Sequence, residues 1–427
     1  MHDPRMVRDE IDALREGMRR RGVLETLAPL IDRAVELDRS RRATIQAAEE
    51  RKAERNTASQ KVAELKRSGG DAAEVQRRSR ELGDEIAKLD AELAATESAL
   101  HAILLDIPNI TLEVVPEGGA EKNQVVREWG APHKAEGVKP HWEIGEALGI
   151  IDFQRGAKIT GSGFIVFRAA GARLVRALMN FMLDLHTREH GYEEVWVPAV
   201  VNRESMIGTS QLPKFEDDMY ALAAEAMFLI PTAEVPVTNL YRDEVLNAAD
   251  LPKAFAAYSP CFRREAGAHG KDTRGLLRVH QFDKVELVRY AAPENSNEEL
   301  ELLTGHAEKV LQLLELPYRV VRLAAGDTGF ASAHTYDLEV FAPGVGKWLE
   351  VSSCSNFTDF QARRAGIRHR PAQGGKGGKP RFVHTLNGSG VAFPRIIAAL
   401  LEHHQRPDGS VSVPAALRPY LGADRLG

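Results

Sequence analysis

The chain has 427 residues, 43% of them hydrophobic and 27% charged, with a formal net charge of -5, a composition that suits a globular protein of two or three domains. This balance excludes a global basic field, so a nucleic-acid partner would have to be met by local basic surface. The only two cysteines, Cys261 and Cys354, lack the paired spacing of a metal site, so neither a disulfide scaffold nor zinc is expected, and the charged start MHDPRMVRDE with no long apolar run predicts no signal peptide or membrane span and a cytoplasmic location.

In chain order, the first distinctive block runs from Thr26 to Asp106. It is rich in Ala, Glu, Arg and Leu and free of aromatic residues, and Pro29 is its only helix breaker of that type. In its second half Val75, Leu82, Leu89 and Ile103 fall in one seven-residue register, interleaved with Ile86, Leu93 and Leu100, the a/d seam of a coiled coil. Thr96 is the polar exception. In the first half Leu27, Leu30, Ala34, Leu37, Ala48, Ala58, Val62 and Leu65 share a register that Arg41 and Arg55 also occupy. The run Arg67-Ser-Gly-Gly-Asp71 between the halves is a helix stop followed by a start. The block therefore reads as an antiparallel helical hairpin, each arm of roughly 35 residues and about 50 Å long. Periodicity alone serves equally a dimerisation or spacer coiled coil. The block carries 14 Lys and Arg against 16 Asp and Glu, and only around the tip, Ala58 to Leu82, do bases lead, six to four.

A Pro- and Gly-punctuated connector, IPNITLEVVPEGGAEKNQVVREWGAP, follows. Strand-like FIVF then leads into a helix with Leu174, Ala177, Leu178, Phe181, Met182 and Leu185 on one face, and a strand is expected from Val195 to Val201, containing Pro198. Downstream, the word LPKF, with Lys214 and Phe215, precedes MFLI and PTAEVPVTN. Were the extended run to continue, Thr232 and Glu234 would share a face and offer a hydroxyl and a carboxylate to an ammonium group. A strand-end turn with a capping Thr is the plainer alternative.

The stretch CFRREAGAHGKDTRGLLRVHQFDKVE reads as two strands and a loop. Arg263 and Glu265 on the first arm, and Arg278, His280, Phe282, Lys284 and Glu286 on the return arm, would each share a face by strand alternation. Val279, Val285 and Leu287 would take the other face, with Asp283 the exception. The joining loop, with three glycines, Lys271 and Arg274, suits closure over phosphates. A solvated edge hairpin is the bland reading of the same charges. In the last third, KWLEVSSCSNFTDFQARR offers Glu350 and Ser353 as hard oxygen ligands for Mg²⁺, and in LNGSGVAFPRIIAALLEHHQ Pro394 sits in the first turn of a helix that fixes Arg395. The GGKGGKP stretch near Gly374 lacks the strand-to-helix context of a phosphate cradle.

F-R-x-E, A-G-x-x-G-K-D-T-R-G and H-Q-F-x-K-V-E together resemble motif 2 of class II aminoacyl-tRNA synthetases in its seryl-tRNA synthetase form. T-A-E-V-P resembles that family's serine-binding loop, the Pro394–Arg395 helix resembles motif 3, and the helix and strand before Val201 resemble motif 1, the dimer interface. The resemblance covers nearly the whole chain and is weakest before Leu24. It implies an α+β fold, a class II antiparallel sheet flanked by helices with an N-terminal antiparallel coiled-coil arm. It also implies a tRNA-binding domain over residues 1–110 and a catalytic domain over residues 111–427, with motif 1 about 172–201, motif 2 about 258–288 and motif 3 about 386–405. The implied reaction is ATP-dependent formation of seryl-adenylate and seryl transfer to the 3′ end of tRNA(Ser), and of tRNA(Sec) besides, by a homodimer. By position, Arg263 and Arg395 are the implied catalytic residues. Thr232, Ala233, Glu234, Glu286 and Ser389 would bind serine. Arg263, Arg264, Glu265, Val279, Phe282, Glu350, Val351, Ser352, Ser353 and Arg395 would bind ATP, with Glu350 and Ser353 on Mg²⁺ and Arg274 or Arg278 helping at the outer phosphates. A synthetase relative that loads a carrier protein, or one that binds RNA without catalysis, fits less well. The long arm argues against the first, and the joint presence of Arg263, Glu265, Glu286, Glu350 and Arg395 against the second.

Overall fold

A computed structural model describes residues 1–132, 137–266, 274–371 and 378–427. Lys271 with most of its loop, and the core of the GGKGGKP stretch, lie outside the described residues. The chain divides into two compact units, Met1–Pro108 and Asn109–Gly427.

The first unit is all helical. Its two long helices are Leu24–Arg67 and Ala73–Asp106, about 66 and 51 Å long at the α-helical rise, so the break falls where Ser-Gly-Gly predicts. Helix Leu24–Arg67 runs straight through Pro29. Every predicted seam position in the second half is buried or half-buried, from Val75 to Ile103 and including Thr96. Arg41 on the seam is ion-paired, reaching Asp38 at 3.3 Å on its own helix and Glu97 at 3.5 Å on the other, while its Nε is buried without a hydrogen-bond partner. Arg55 stays exposed. Ahead of the hairpin, helices Met6–Asp9 and Ile11–Arg20 pack on its base, where Leu14, Met18, Ile31 and Ala34 are fully buried.

The second unit is α+β. Its main sheet has eight strands in the order Gln124–Trp129, Tyr318–Arg322, His334–Ala342, Lys347–Asn356, His384–Ala392, Gln281–Ala291, Lys253–Phe262 and Glu193–Glu194. All neighbours are antiparallel except the last pair. Helices Ala170–Arg188, Ser296–Leu313 and Phe393–His403 bury their apolar stripes in a core that takes Val285 and Leu287 from the central strand. Each such Leu or Ile contributes about 1.5–3 kcal/mol on burial. Because strand side chains alternate, Lys284 and Glu286 point to the opposite face. Asp283, the polar residue on the apolar side, accepts a 2.7 Å hydrogen bond from the Tyr258 hydroxyl.

Three expectations are corrected. The run Val195–Val201 is not one strand: Glu193–Glu194 pairs with Lys253–Phe262, Val200–Asn202 pairs in another sheet, and the chain crosses between sheets around Pro198, which has no N–H to give a ladder. The FIVF strand shrinks to Val166–Phe167. The motif 2 strands end at Phe262 and begin at Gln281, so Arg263, Glu265, Arg278 and His280 are not held by strand alternation. One further backbone bond, from Arg263 N–H to the His280 carbonyl at 2.9 Å, continues the pairing, and Glu265 then adopts φ 51°.

Candidate functional site

Two adjoining cavities open on the polar face of the central strand. The larger, about 530 Å³, is lined by Thr232, Glu234, Glu286 and Ser353 among others, and the smaller, about 280 Å³, by Val279, Phe282, Val351 and Arg395. Arg263, Glu265, Arg278, Lys284, Glu350 and Ser389 line both, so the wall between the cavities is almost entirely charged. Ala233, Arg264 and Ser352 line neither. The Ser352 hydroxyl donates instead to the Ser389 carbonyl at 2.6 Å, and Arg264 donates its backbone N–H to the Asp218 carbonyl at 2.9 Å.

The larger cavity is built by register. Ser389 lies directly opposite Glu286 across two strands, and Thr232 donates to Glu286 Oε2 at 2.9 Å. Lys284 donates to the Thr232 hydroxyl at 2.9 Å and forms an ion pair with Glu286. The TAEVP run is not extended. Glu234–Thr238 is a short helix, begun where the Glu234 N–H donates to Thr232 Oγ1 at 3.2 Å. The capping turn and the polar pocket are thus the same structure, because the turn carries both side chains inward. Glu234 is buried, and that burial, with Glu286 nearby, pushes its carboxyl up to about 7 against the pull of Gln361, Lys284 and Asn387.

In the smaller cavity Arg263 lies over the Phe282 ring, 5.2 Å from its centroid, and its Nε donates to the Pro231 carbonyl at 3.4 Å. Glu265 is ion-paired with Arg278. Arg395 donates to the Leu277 carbonyl at 3.2 Å and the Glu350 carbonyl at 2.6 Å, with the Glu350 carboxylate 3.6 Å away. Arg274 turns to the Trp142 ring, 4.6 Å from its centroid, and lines neither cavity. His280 Nδ1 lies 3.0 Å from the Arg263 carbonyl, a backbone-holding role.

Among the described residues no group of three His, Cys, Asp or Glu side chains is arranged to hold a metal. Glu350 and Ser353 nevertheless supply two hard oxygens at the cavity wall, and Asp337, paired opposite Ser353 in the sheet, leaves Oδ1 buried without a hydrogen-bond partner. Such an all-oxygen, incomplete donor set fits an ion that keeps waters and phosphate oxygens. Cys261 and Cys354 are buried and unbridged.

Sequence reasoning gave Lys284 no role, although its place two residues before Glu286 on a strand already set it on the same face. Asn387, a lining residue of the larger cavity, and Gln361, which donates to Glu234 Oε1 at 2.6 Å, were also missed. No spacing signal could have found Gln361, since its partner lies 127 residues away.

Residues 214–404 match the tRNA synthetase class II core domain (G, H, P, S and T), and residues 1–111 match the seryl-tRNA synthetase N-terminal domain. The serine–tRNA ligase of Gemmatimonas aurantiaca is 64% identical over 423 residues, 99% of each chain. Among solved structures, seryl-tRNA synthetase from Pyrococcus horikoshii complexed with ATP superposes with a TM-score of 0.93 at 36% identity, covering 100% of this chain and 99% of that one. The cytoplasmic serine–tRNA ligase from Naegleria fowleri in complex with AMP gives 0.88 at 29% identity, covering 100% and 98%.

Proposed function

Since this chain belongs to the seryl-tRNA synthetase family and is a class II serine–tRNA ligase, we propose that its larger cavity holds serine, its smaller cavity holds ATP, and Arg263 stands where their reacting atoms meet. The observation that carries this reading is the shared wall. Glu286, Thr232 and Glu234 converge on one side of it and Phe282 and Arg395 on the other, with Arg263, Lys284 and Ser389 common to both.

In the first step a serine carboxylate oxygen attacks the α-phosphorus, the bond to the bridging oxygen breaks, and pyrophosphate leaves with that electron pair. Arg263 binds the α-phosphate as charge builds on it, and Arg395, aided by Arg278, binds the outer phosphates. Phe282 stacks on adenine beside Val279 and Val351, and Glu265, released from Arg278, accepts from the adenine amino group. Glu286 and Ser389 pair with the serine hydroxyl, while Glu234 and Thr232 take the ammonium, with Ala233 setting their turn. Catalysis is alignment and charge neutralisation, with no covalent help from the protein. Glu350 and Ser353 would hold Mg²⁺, which offsets phosphate charge when bound. In the second step a hydroxyl of the terminal adenosine of tRNA attacks the seryl carbonyl and AMP leaves.

The tRNA is assigned to residues 1–110, whose basic hairpin tip suits RNA backbone. Reading of shape rather than bases extends the proposal from tRNA(Ser) to any tRNA(Sec) of the same shape. The homodimer is proposed on the motif 1 stretch, where Trp196 is 75% exposed, an apolar surface of the kind an interface covers. Among the described residues no helix is long and apolar enough to cross a membrane, and the cytoplasm is the proposed location.

Serine-dependent ATP–pyrophosphate exchange tests the assignment. A site that pairs a substrate hydroxyl rejects the analogue lacking it by on the order of 10⁴, so alanine should be activated about that much less well than serine, and Glu286→Ala should abolish the preference. Retention of serine activation and of discrimination within a few fold in Glu286→Ala would overturn it.

A further inference from the structure

We propose that Gln361 is a positioning residue for serine: its carboxamide holds one oxygen of Glu234 so that the other faces the substrate ammonium as a charged acceptor. The inference rests on the serine-pocket reading above. Gln361 sits on the short helix Phe360–Ala365 and is 1% exposed. It lines neither cavity, so any effect it has on substrate passes through Glu234.

The direction of the amide is fixed by its two ends. Nε2 donates to Glu234 Oε1 at 2.6 Å, and Oε1 accepts from the hydroxyl of Thr385 at 2.7 Å. Thr385 is fully buried on the strand His384–Ala392. A flipped amide would set its carbonyl against the Glu234 carboxylate and the Thr209 carbonyl, to which Nε2 also donates at 3.5 Å. As both groups only accept, they select the donor-forward orientation, which the Thr385 hydroxyl completes by donating to the far end. The helix itself is pinned, since Arg364 donates to the Leu212 carbonyl at 3.2 Å and Arg363 to Asp359 at 2.8 Å. An immobile donor is therefore aimed at a carboxylate that has lost its water.

That donor matters because the rest of the pocket works against ionisation of Glu234. Glu286 faces it from the central strand, and Asp327, Asp337 and Glu350 line the cavity that opens beside it. Among the described residues Lys284 is the cation that pulls on it directly and is itself committed to Glu286 and Thr232, while Arg263 and Arg278 also line the cavity. Asn387 and Gln361 are the neutral groups that favour the charged form. Without Gln361 the Glu234 carboxyl, already at about 7, is pushed up further, so it is protonated over more of the neutral range and its attraction for an ammonium falls.

The test is exchange kinetics on the full-length enzyme from pH 6 to 8.5, with serine and ATP varied separately. Gln361→Leu keeps the volume and removes the donor. A hydrogen bond to a buried charge is worth about 10- to 100-fold, so KM for serine should rise by about that factor at pH 7 while KM for ATP stays within twofold. The deficit should shrink toward pH 8.5 as Glu234 ionises again, a response that a general packing defect does not produce. Thr385→Val, which unlocks the amide without removing it, should give a smaller shift in the same direction, and it carries the test if Gln361→Leu does not fold. An unchanged serine KM in a folded variant, or a loss equal for both substrates and constant with pH, overturns the inference. A wild-type enzyme inactive with serine, or a Glu234→Ala variant with normal serine KM, would instead overturn the pocket reading beneath it.

Discussion

Charge is used differently in the hairpin and in the cavities. On the hairpin Arg51 meets Glu85 at 2.8 Å and Lys52 meets Asp90 at 3.0 Å, with side chains roughly 40–50% exposed. In the larger cavity Lys284 and Glu286 are 7% and 3% exposed. Exposed pairs of the first kind contribute about 0–1 kcal/mol each and are screened by salt, so no single one matters much and the length of the arm is what counts. A buried pair is different in kind. Removing one member strands the other without water, a loss of about 3–5 kcal/mol, so Lys284 and Glu286 are each individually indispensable to the pair.

The largest effect that would break this comparison comes from shortening the arm. Every residue assigned to serine or ATP lies in the unit Asn109–Gly427, and of the buried hairpin positions Ile31, Ala34, Ala48, Leu100 and Leu104 lie outside residues 50–86, Leu82 and Ile86 lie within them, and the stretch between Ala48 and Leu82 is mostly exposed. Deleting residues 50–86 and rejoining the helices through a short glycine linker removes reach and leaves the base packed. Pyrophosphate exchange should be unchanged. Aminoacylation should fall by about 10³ or more, because phosphate contacts that release counterions are lost, and the salt dependence of tRNA binding should flatten. Unchanged charging would dissolve the division of labour between the two regions, and loss of exchange in a folded protein would show that they are coupled.

Next in size is a single cavity side chain. Arg263 is held by the Pro231 carbonyl and the Phe282 ring rather than by a carboxylate, so its guanidinium is free to meet a phosphate and its removal strands no buried partner. Arg263→Ala should slow adenylate formation by about 10² to 10³ with the melting temperature within a few degrees. A large drop in melting temperature with activity retained per folded molecule would make the residue structural.

The two regions were also legible to different depths. The seam from Val75 to Ile103 could be read outright, because a 3.5-residue period needs only local sequence; on the register of the first half Arg41 is partly buried and Arg55 exposed. In the cavity, alternation put Lys284 and Glu286 on one face, but it could not set Ser389 opposite Glu286, because the pairing with His384–Ala392 shifts register between Lys284 and Glu286. Alternation failed beyond Phe262 and before Gln281, where the chain leaves the ladder and Glu265 takes a positive φ. It failed again at Thr232, whose side chain starts a helix. Gln361 was invisible because a buried amide declares its partner only when distant segments meet.

The smallest predicted effect concerns a lone buried group with no partner charge. His186, at the end of helix Ala170–Arg188, is fully buried, and burial, then His190 and His306, push its imidazole down to about 3. His190 Nδ1 lies 3.0 Å from its Nδ1 and stacks on His306 at 4.1 Å, and His306 Nδ1 lies 3.1 Å from the Tyr192 hydroxyl. Arg289, ion-paired with Glu299, lies 5.2 Å from the centroid of the Tyr192 ring; Glu189 draws a proton toward His190, whereas burial and the two imidazoles act on His186 itself. An unfolded histidine binds its proton near pH 6.5 and the folded one only near 3, so the unfolded state carries more protons between these values. The stability that neutral His186 allows is therefore complete above pH 6.5 and declines as pH falls below it, by about 1.4 kcal/mol between pH 7.5 and 5.5. Histidine 306, pushed down in the same direction, adds to the slope. Urea unfolding at pH 7.5, 6.5 and 5.5 measures it, with His186→Gln as the comparison that lacks this imidazole but keeps the Glu234 carboxyl, which titrates in the same window. The variant should be less stable at pH 7.5 yet lose less on acidification, so that the two profiles converge. Parallel profiles would mean that His186 takes up its proton as readily folded as unfolded, and that burial in this core costs a lone charge no more than it costs the paired charges of the cavity.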